Sequence, residues 1–175
     1  YLDLIEQLQA QVRQGSLDEP ALREHYEIAQ KAIQTIALEI TPTTVQLLRD
    51  LDDRQVEELN EQFERDRQER EDKYLKPPLD QQIDKRTDRM QERVEQWLGN
   101  ITAAQRQRIH EWAEALNKQN QLWLDNRAQW QRSMVDAVRN RDQANFDERI
   151  ARLLQDREVY WTAPYRAAFP AVEQA

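Results

Sequence analysis

The 175 residues include no cysteine, two glycines (Gly15 and Gly99), two serines (Ser16 and Ser133) and two histidines (His25 and His110). Each shortage closes a class of chemistry. Without thiols there is no disulfide framework, thiolate zinc site or cysteine nucleophile, although this does not choose between cytosol and periplasm. Both glycines read as helix ends, so no Gly-rich phosphate loop exists. His110-Glu111 lacks the second histidine of a zinc-binding helix, and isolated histidines give no ligand spacing. Ser16 is better read as a helix cap and Ser133 as a small residue on a long helix, which leaves no nucleophile paired with a base. The expectation is a protein without catalysis, metal or cofactor. No apolar run approaches the roughly 18 to 20 residues of a membrane-spanning helix, and Tyr1-Leu2-Asp3-Leu4-Ile5-Glu6 lacks the basic and apolar regions of a secretory signal.

Charge, by contrast, is abundant. A third of the residues are ionic and the net charge is −8. Residues 1–100 hold 14 basic and 23 acidic side chains, and 101–175 hold 11 and 10. A nucleic-acid binder concentrates basic residues on one surface, so this balance argues against such a partner and against adhesion to anionic lipid. Arginine outnumbers lysine 20 to 5, which suits packed ion-pair networks or protein contacts, because guanidinium forks onto carboxylates and stacks on rings.

Apolar residues recur at spacings of three and four almost throughout, and strict alternation is nearly absent, so the chain reads as all-α. The expected architecture is an elongated antiparallel bundle of five to six helices forming one domain over 1–163, with a frayed tail over 164–175. Helices are expected near 2–14, 17–39, 43–75 with a break or bend at Asp52, 79–98, 103–140 and 146–162. Gly15 ends the first of these, and Ser16 with Glu19 caps the second. Thr41-Pro42 and Pro77-Pro78 separate later ones. The expected core comprises Leu22, Ile33, Ile36, Leu48, Val56, Leu59, Phe63, Met90, Val94, Trp97, Ile109, Trp112, Leu116, Trp123 and Trp130.

One cap signature occurs twice, fifty residues apart: Leu51-Asp52-x-x-Gln55 and Ile101-Thr102-x-x-Gln105. Asp52 and Thr102 are placed to cap, with Gln55 and Gln105 at the third helical position. Asn145 and Glu148 offer a further capping box. After the second signature, Ile109, Leu116, Trp123, Trp130 and Ala137 follow at seven-residue intervals. Polar residues interrupt these rows: Arg67 and Arg70 lie between Phe63 and Tyr74, and Arg127 lies one turn from both Trp123 and Trp130. An arginine there must be paired or stacked, since an unpaired buried charge costs several kcal/mol. Two readings stay open. Arg67, Arg70, Trp123, Arg127 and Trp130 form either a structural network in the core or a groove that binds protein.

The doubled signature resembles the LTxxQ motif of the periplasmic Spy and CpxP group, whose all-helical members pair into curved dimers and act in ATP-independent chaperoning or stress sensing. Asp replaces Thr in the first copy and Ile replaces Leu in the second. Trp123-Leu-Asp-Asn-Arg127-Ala-Gln-Trp130 and Arg141-Asp142-Gln-Ala-Asn145-Phe146 resemble an uncharacterised proteobacterial lipoprotein family of unknown function. That resemblance implies a lipid anchor upstream of Tyr1 and a periplasmic location at the outer membrane. The function implied is binding of an unfolded client, as a chaperone-like or envelope-stress protein. The alternative is an adaptor bundle with one dedicated partner or with itself, including a homodimer.

Overall fold

The computed structural model describes Ala10, residues 19–116 and residues 118–174. The expected helix over 2–14, its stop at Gly15 and the cap at Ser16 lie outside the described residues. Among those described there are seven α-helices and no strand, which makes the protein an all-α helical bundle. The helices are α1 (Glu19–Arg49), α2 (Asp53–Tyr74), α3 (Leu79–Leu98), α4 (Ala103–Ala115), α5 (Gln119–Arg139), α6 (Phe146–Gln155) and α7 (Ala163–Gln174), with a short 3₁₀ turn at Arg157–Tyr160. Where one domain over 1–163 was expected, the chain divides into two compact units, Tyr1–Ile36 with Ile83–Ala115 and Ala37–Gln82 with Leu116–Ala175.

In the first unit, α3 and α4 run antiparallel about the Gly99-Asn100 turn. Gly99 takes φ +75°, a conformation open to glycine at little cost, and its N–H returns to the Glu95 carbonyl at 2.9 Å. Ile101 is buried just beyond it, and Thr102 opens α4. Its hydroxyl accepts from the Gln105 N–H at 3.2 Å while the Gln105 side chain accepts from the Thr102 N–H at 2.7 Å, so both halves of a capping box are made. Arg86, buried on α3, donates from Nη1 to the Ala113 carbonyl at 2.6 Å, placing a cation against the last turn of α4, where carbonyls lack helical partners. Burial lowers the pKa of this guanidinium, and Arg89 lowers it further.

The second unit is built on α5. Its core is Val56, Met134, Ala137, Val138, Phe146, Ile150 and Leu153, with Leu48, Leu51, Leu59, Phe63 and Trp130 packed against it. Phe146, Ile150 and Leu153 sit at helical spacing on α6, and each fully buried side chain of this size contributes about 1.5–3 kcal/mol relative to exposure. Helix α2 lies antiparallel to α5: as numbers rise along α2 those of its partners fall along α5. Asp53 meets Arg141 at 2.5 Å, Glu57 meets Arg139 at 2.8 Å, Asp66 meets Arg127 at 2.9 Å, and the Tyr74 carbonyl accepts from Asn120 at 3.1 Å. At the Pro77-Pro78 corner the Gln82 amide donates to the Pro77 carbonyl at 2.8 Å and accepts from Asn120 at 3.0 Å.

Several boundaries differ from the sequence expectation. Helix α1 runs through Pro42 instead of stopping at Ile40. Proline removes only the N–H that would have reached the Leu38 carbonyl, and the Thr41 hydroxyl adds a bond to the Ala37 carbonyl at 2.6 Å. The expected helix over 103–140 breaks after Ala115, because Ala113 is buried in one unit and Leu116 belongs to the other. The helix expected to reach 162 ends at Gln155. The expected frayed tail is instead α7, opened by the Thr162 hydroxyl accepting from the Tyr165 N–H at 3.3 Å; Pro164 falls in the first turn, where its missing N–H matters little. Asn145 makes no side-chain cap bond. Of the expected core, Val56 and Leu116 are buried, while Leu48, Leu59, Phe63, Met90, Val94, Ile109, Trp112, Trp123 and Trp130 are half-buried. Ile33 and Ile36 are exposed, since helical periodicity shows that a face is apolar but not that another element covers it. The side chains of Leu22 and Trp97 lie outside the description.

Candidate functional site

Two features carry functional interest, the first on the α2/α5 pair. Asp52 opens α2, its carboxylate accepting from the Gln55 N–H at 2.8 Å and the Gln55 side chain accepting from the Asp52 N–H at 2.9 Å. That cap fixes where α2 begins and so which side chains face α5. Phe63, Asp66, Arg70 and Tyr74 follow at spacings of three and four, and meet Trp130, Gln131, Arg127 and Trp123. Asp66 is the node. Its Oδ1 accepts from Arg70 Nε at 2.7 Å, and its Oδ2 accepts from Arg127 Nε at 3.0 Å, Arg127 Nη2 at 2.9 Å and Gln131 Nε2 at 3.2 Å. Burial raises the carboxyl pKa, but the hydrogen bonds from Arg127 and then Arg70 more than reverse this and hold it below the ordinary aspartate value. A carboxylate so held is ionised at neutral pH and already committed to its partners.

The aromatic residues are engaged as well. The Arg70 guanidinium lies 5.6 Å from the Trp123 ring centroid, and Tyr74 meets the same ring edge-on at 6.0 Å and 88°. Trp130 donates Nε1–H to the Leu153 carbonyl at 2.8 Å, with Arg157 over its ring at 5.2 Å and Phe63 tilted at 6.4 Å. Thus Arg70, Trp123, Arg127 and Trp130 are brought together along one helix pair. Arg67 is not joined to them: it pairs along its own helix with Glu64 and, at 3.7 Å, with Glu71. It borders a pocket of only 20 Å³, lined by Asn60, Phe63, Ala128, Gln131, Arg132 and Val135 among others. That is room for about one water molecule. Asp66 was missed in the sequence, although it stands three residues after Phe63 on the same helical face.

The second feature is α1. Tyr26, Ile33, Ile40 and Leu47 recur every seven residues, with Ala29 and Ile36 between them, and the large side chains of this row are exposed from 47% (Ile40) to 65% (Ile33). Residues 28–48 contain only two charged side chains, Lys31 and Glu39, in a chain that is one-third ionic. An exposed apolar row of this length marks an interaction surface more often than an accident of folding. Depletion of charge is what distinguishes the centre of an interface from ordinary surface.

No group of three or more His, Cys, Asp or Glu suited to a metal occurs among the described residues. What is assembled is an all-α protein in which an arginine–carboxylate seam closes one helix pair and an apolar helix face stands open. Residues 1–166 match the family of unknown function DUF6279, and the chain belongs to that family. No curated protein and no solved structure matches it.

Proposed function

We propose that the chain is a non-enzymatic, ATP-independent protein-binding module of the bacterial periplasm, chaperone-like or serving as an envelope-stress adaptor, tethered to the outer membrane by a lipid anchor upstream of Tyr1. The observation that carries the binding part is the row of exposed large apolar side chains on α1, Tyr26, Ile33, Ile36, Ile40 and Leu47, in a stretch with only two charged residues. The capping boxes at Asp52 and Thr102 support the likeness to the LTxxQ proteins, in which the motif opens helices. The location follows from that likeness and from the lipoprotein-like segments Trp123 to Trp130 and Arg141 to Phe146. An acidic balance speaks against nucleic acid as partner.

On this reading the polypeptide-binding face is α1. Arg70, Trp123, Arg127 and Trp130, engaged with one another and with their own chain, support that face by holding the α2/α5 pair. The test is suppression of aggregation of an unfolding model protein without ATP, by wild type and by Ile33→Glu and Ile36→Glu variants shown to be folded. Suppression by wild type and its loss in both variants is the expected result; no suppression by wild type at several-fold molar excess removes the client-binding reading. A second reading, an adaptor with one dedicated partner or with itself, is favoured by the seven-residue spacing of the same row.

A further inference from the structure

We infer that the cleft between α2 and α5 is a binding site for the side-chain carboxamide of a polypeptide, a glutamine or asparagine carried by an otherwise apolar segment. The site lies wholly within the second unit and does not use the α1 face, so it goes beyond the reading above. Its walls follow from helical spacing. Asn60, Phe63, Glu64 and Arg67 occupy positions i, i+3, i+4 and i+7 of α2, and the α5 residues opposite repeat that spacing from Ala128 to Val135. Each set is therefore one face of its helix. Ala128 has no side chain beyond Cβ, and the room in the cleft, about 20 Å³, suits a group the size of one water molecule or one NH₂.

Gln131 decides what that group must be. It is 4% exposed, and the ionised Asp66 accepts from its Nε2 at 3.2 Å, which fixes which end of the amide faces the seam. Its Oε1 accepts from no described residue and is not sealed in the interior, so it opens into the cleft that Gln131 lines. A ligand must bring an N–H to it. At the rim, Arg67 is engaged by Glu64 and Glu71, whereas Arg132 makes no ion pair or hydrogen bond with any described residue and presents its donors. A ligand must bring an acceptor there. A carboxylate has no proton for Oε1, and an ammonium has no acceptor for Arg132 and meets two guanidinium groups. A carboxamide is neutral and carries both an NH₂ and a carbonyl. The floor admits only that end, so the rest of the ligand lies at the mouth against the apolar walls of Phe63 and Val135, where the methylenes and neighbours of a peptide side chain gain burial. A free small amide gains none of that.

The test is a titration of the full isotope-labelled chain, followed by NMR at the Gln131 side-chain NH₂, with acetyl-Val-Gln-Val N-methylamide as the probe. It should bind roughly tenfold more tightly than the same peptide with Glu, Lys or Leu at its centre, the ratio that one net hydrogen bond supports. Arg132→Ala, at an exposed position, and Ala128→Leu, which fills the floor, should each weaken binding several-fold, read in variants whose circular dichroism stays helical. Gln62→Ala on the exposed side of α2 and Ile33→Glu on α1 should leave it unchanged. Equal affinity for the four peptides overturns the proposal, as does binding that survives both Arg132→Ala and Ala128→Leu. Acetamide binding as tightly as the glutamine peptide overturns the assignment to a polypeptide. A Gln131 resonance that no probe moves at millimolar concentration leaves the cleft to solvent alone and overturns the site. Peptide binding without suppression of aggregation supports the cleft and removes client binding by α1; suppression without peptide binding does the reverse.

Discussion

Asp66 on α2 and Arg127 on α5 are joined by two hydrogen bonds to a single carboxylate oxygen, at 2.9 and 3.0 Å, across a separation of 61 residues in sequence. The second oxygen of the same carboxylate binds Arg70. Two cations therefore depend on one anion, so removing Asp66 leaves both without their shared partner. Breaking a fully buried pair costs about 3–5 kcal/mol, but with Asp66 24% and Arg127 35% exposed, solvent reduces the expected loss for Asp66→Ala to about 1–2 kcal/mol. A double-mutant cycle with Arg127→Ala, read by urea unfolding, should give a coupling of about 1 kcal/mol. Additive losses would show that the pair contributes nothing beyond its packing.

The same carboxylate makes stability depend on pH. Its pKa in the folded chain lies below the ordinary value of about 3.9, because hydrogen bonds from Arg127 and Arg70 outweigh burial. A group depressed in this sense contributes stability that is present above the unfolded pKa and lost as pH falls through the folded one. The stability difference between wild type and Asp66→Asn should therefore be full at neutral pH and shrink below about pH 4. Urea unfolding at pH 7, 4 and 3 checks this; a difference that stays constant through the acid range would contradict it.

Two capping boxes open α2 and α4 with the same two reciprocal bonds and different cap residues. Thr102→Ala and Asp52→Ala should each cost about 1 kcal/mol, through loss of the side-chain acceptor at the third helical N–H. Thr102→Ser, which keeps the hydroxyl, should cost a fraction of that. Chemical denaturation of the three variants is sufficient, and an equal loss for Ser and Ala would show that packing of the threonine methyl, not the cap bond, is what matters.

The helices were legible because the apolar period is a local property of the chain, and the caps at Asp52 and Thr102 because a capping box closes within four residues. Pro42 misled because proline usually ends a helix, yet its cost is confined to one missing N–H and one crowded carbonyl, which the packing of Val45 and Leu48 offsets. The uninterrupted heptads from Ile109 to Ala137 could not announce the break at 116–118, since periodicity says that a face seeks burial and not which core receives it. The same gap explains α1, where Ile33 and Ile36 were expected in the core and are exposed. Residues 28–48 carry only two charged side chains, Lys31 and Glu39, so the row had no polar interruption to mark it as exposed. Arg67, Arg70 and Arg127 attracted notice as cations in apolar rows, and the rule that such a cation needs a partner held for all of them: Arg70 and Arg127 meet at the α2/α5 seam, and Arg67 pairs along its own helix. The acid that serves two of them, Asp66, stood beside Arg67 unremarked.

Trp130 binds α5 to α6 at a defined point. Its Nε1–H meets the carbonyl of Leu153, which lies in the last turn of α6, where carbonyls have no helical donor to receive. Trp130→Phe keeps an aromatic ring against Phe63 and under Arg157 but removes that donor, so it should cost about 1 kcal/mol, the net worth of one hydrogen bond with its acceptor left partly to water. Trp130→Ala also loses the ring and should cost about 3 kcal/mol, near the low end for a large aromatic because the side chain is only half-buried. Urea denaturation followed by circular dichroism separates the two variants. If Trp130 belongs to the supporting seam and not to the binding face, the Phe variant, once shown to be folded, retains wild-type suppression of aggregation; loss of suppression with unchanged stability would return Trp130 to the binding surface.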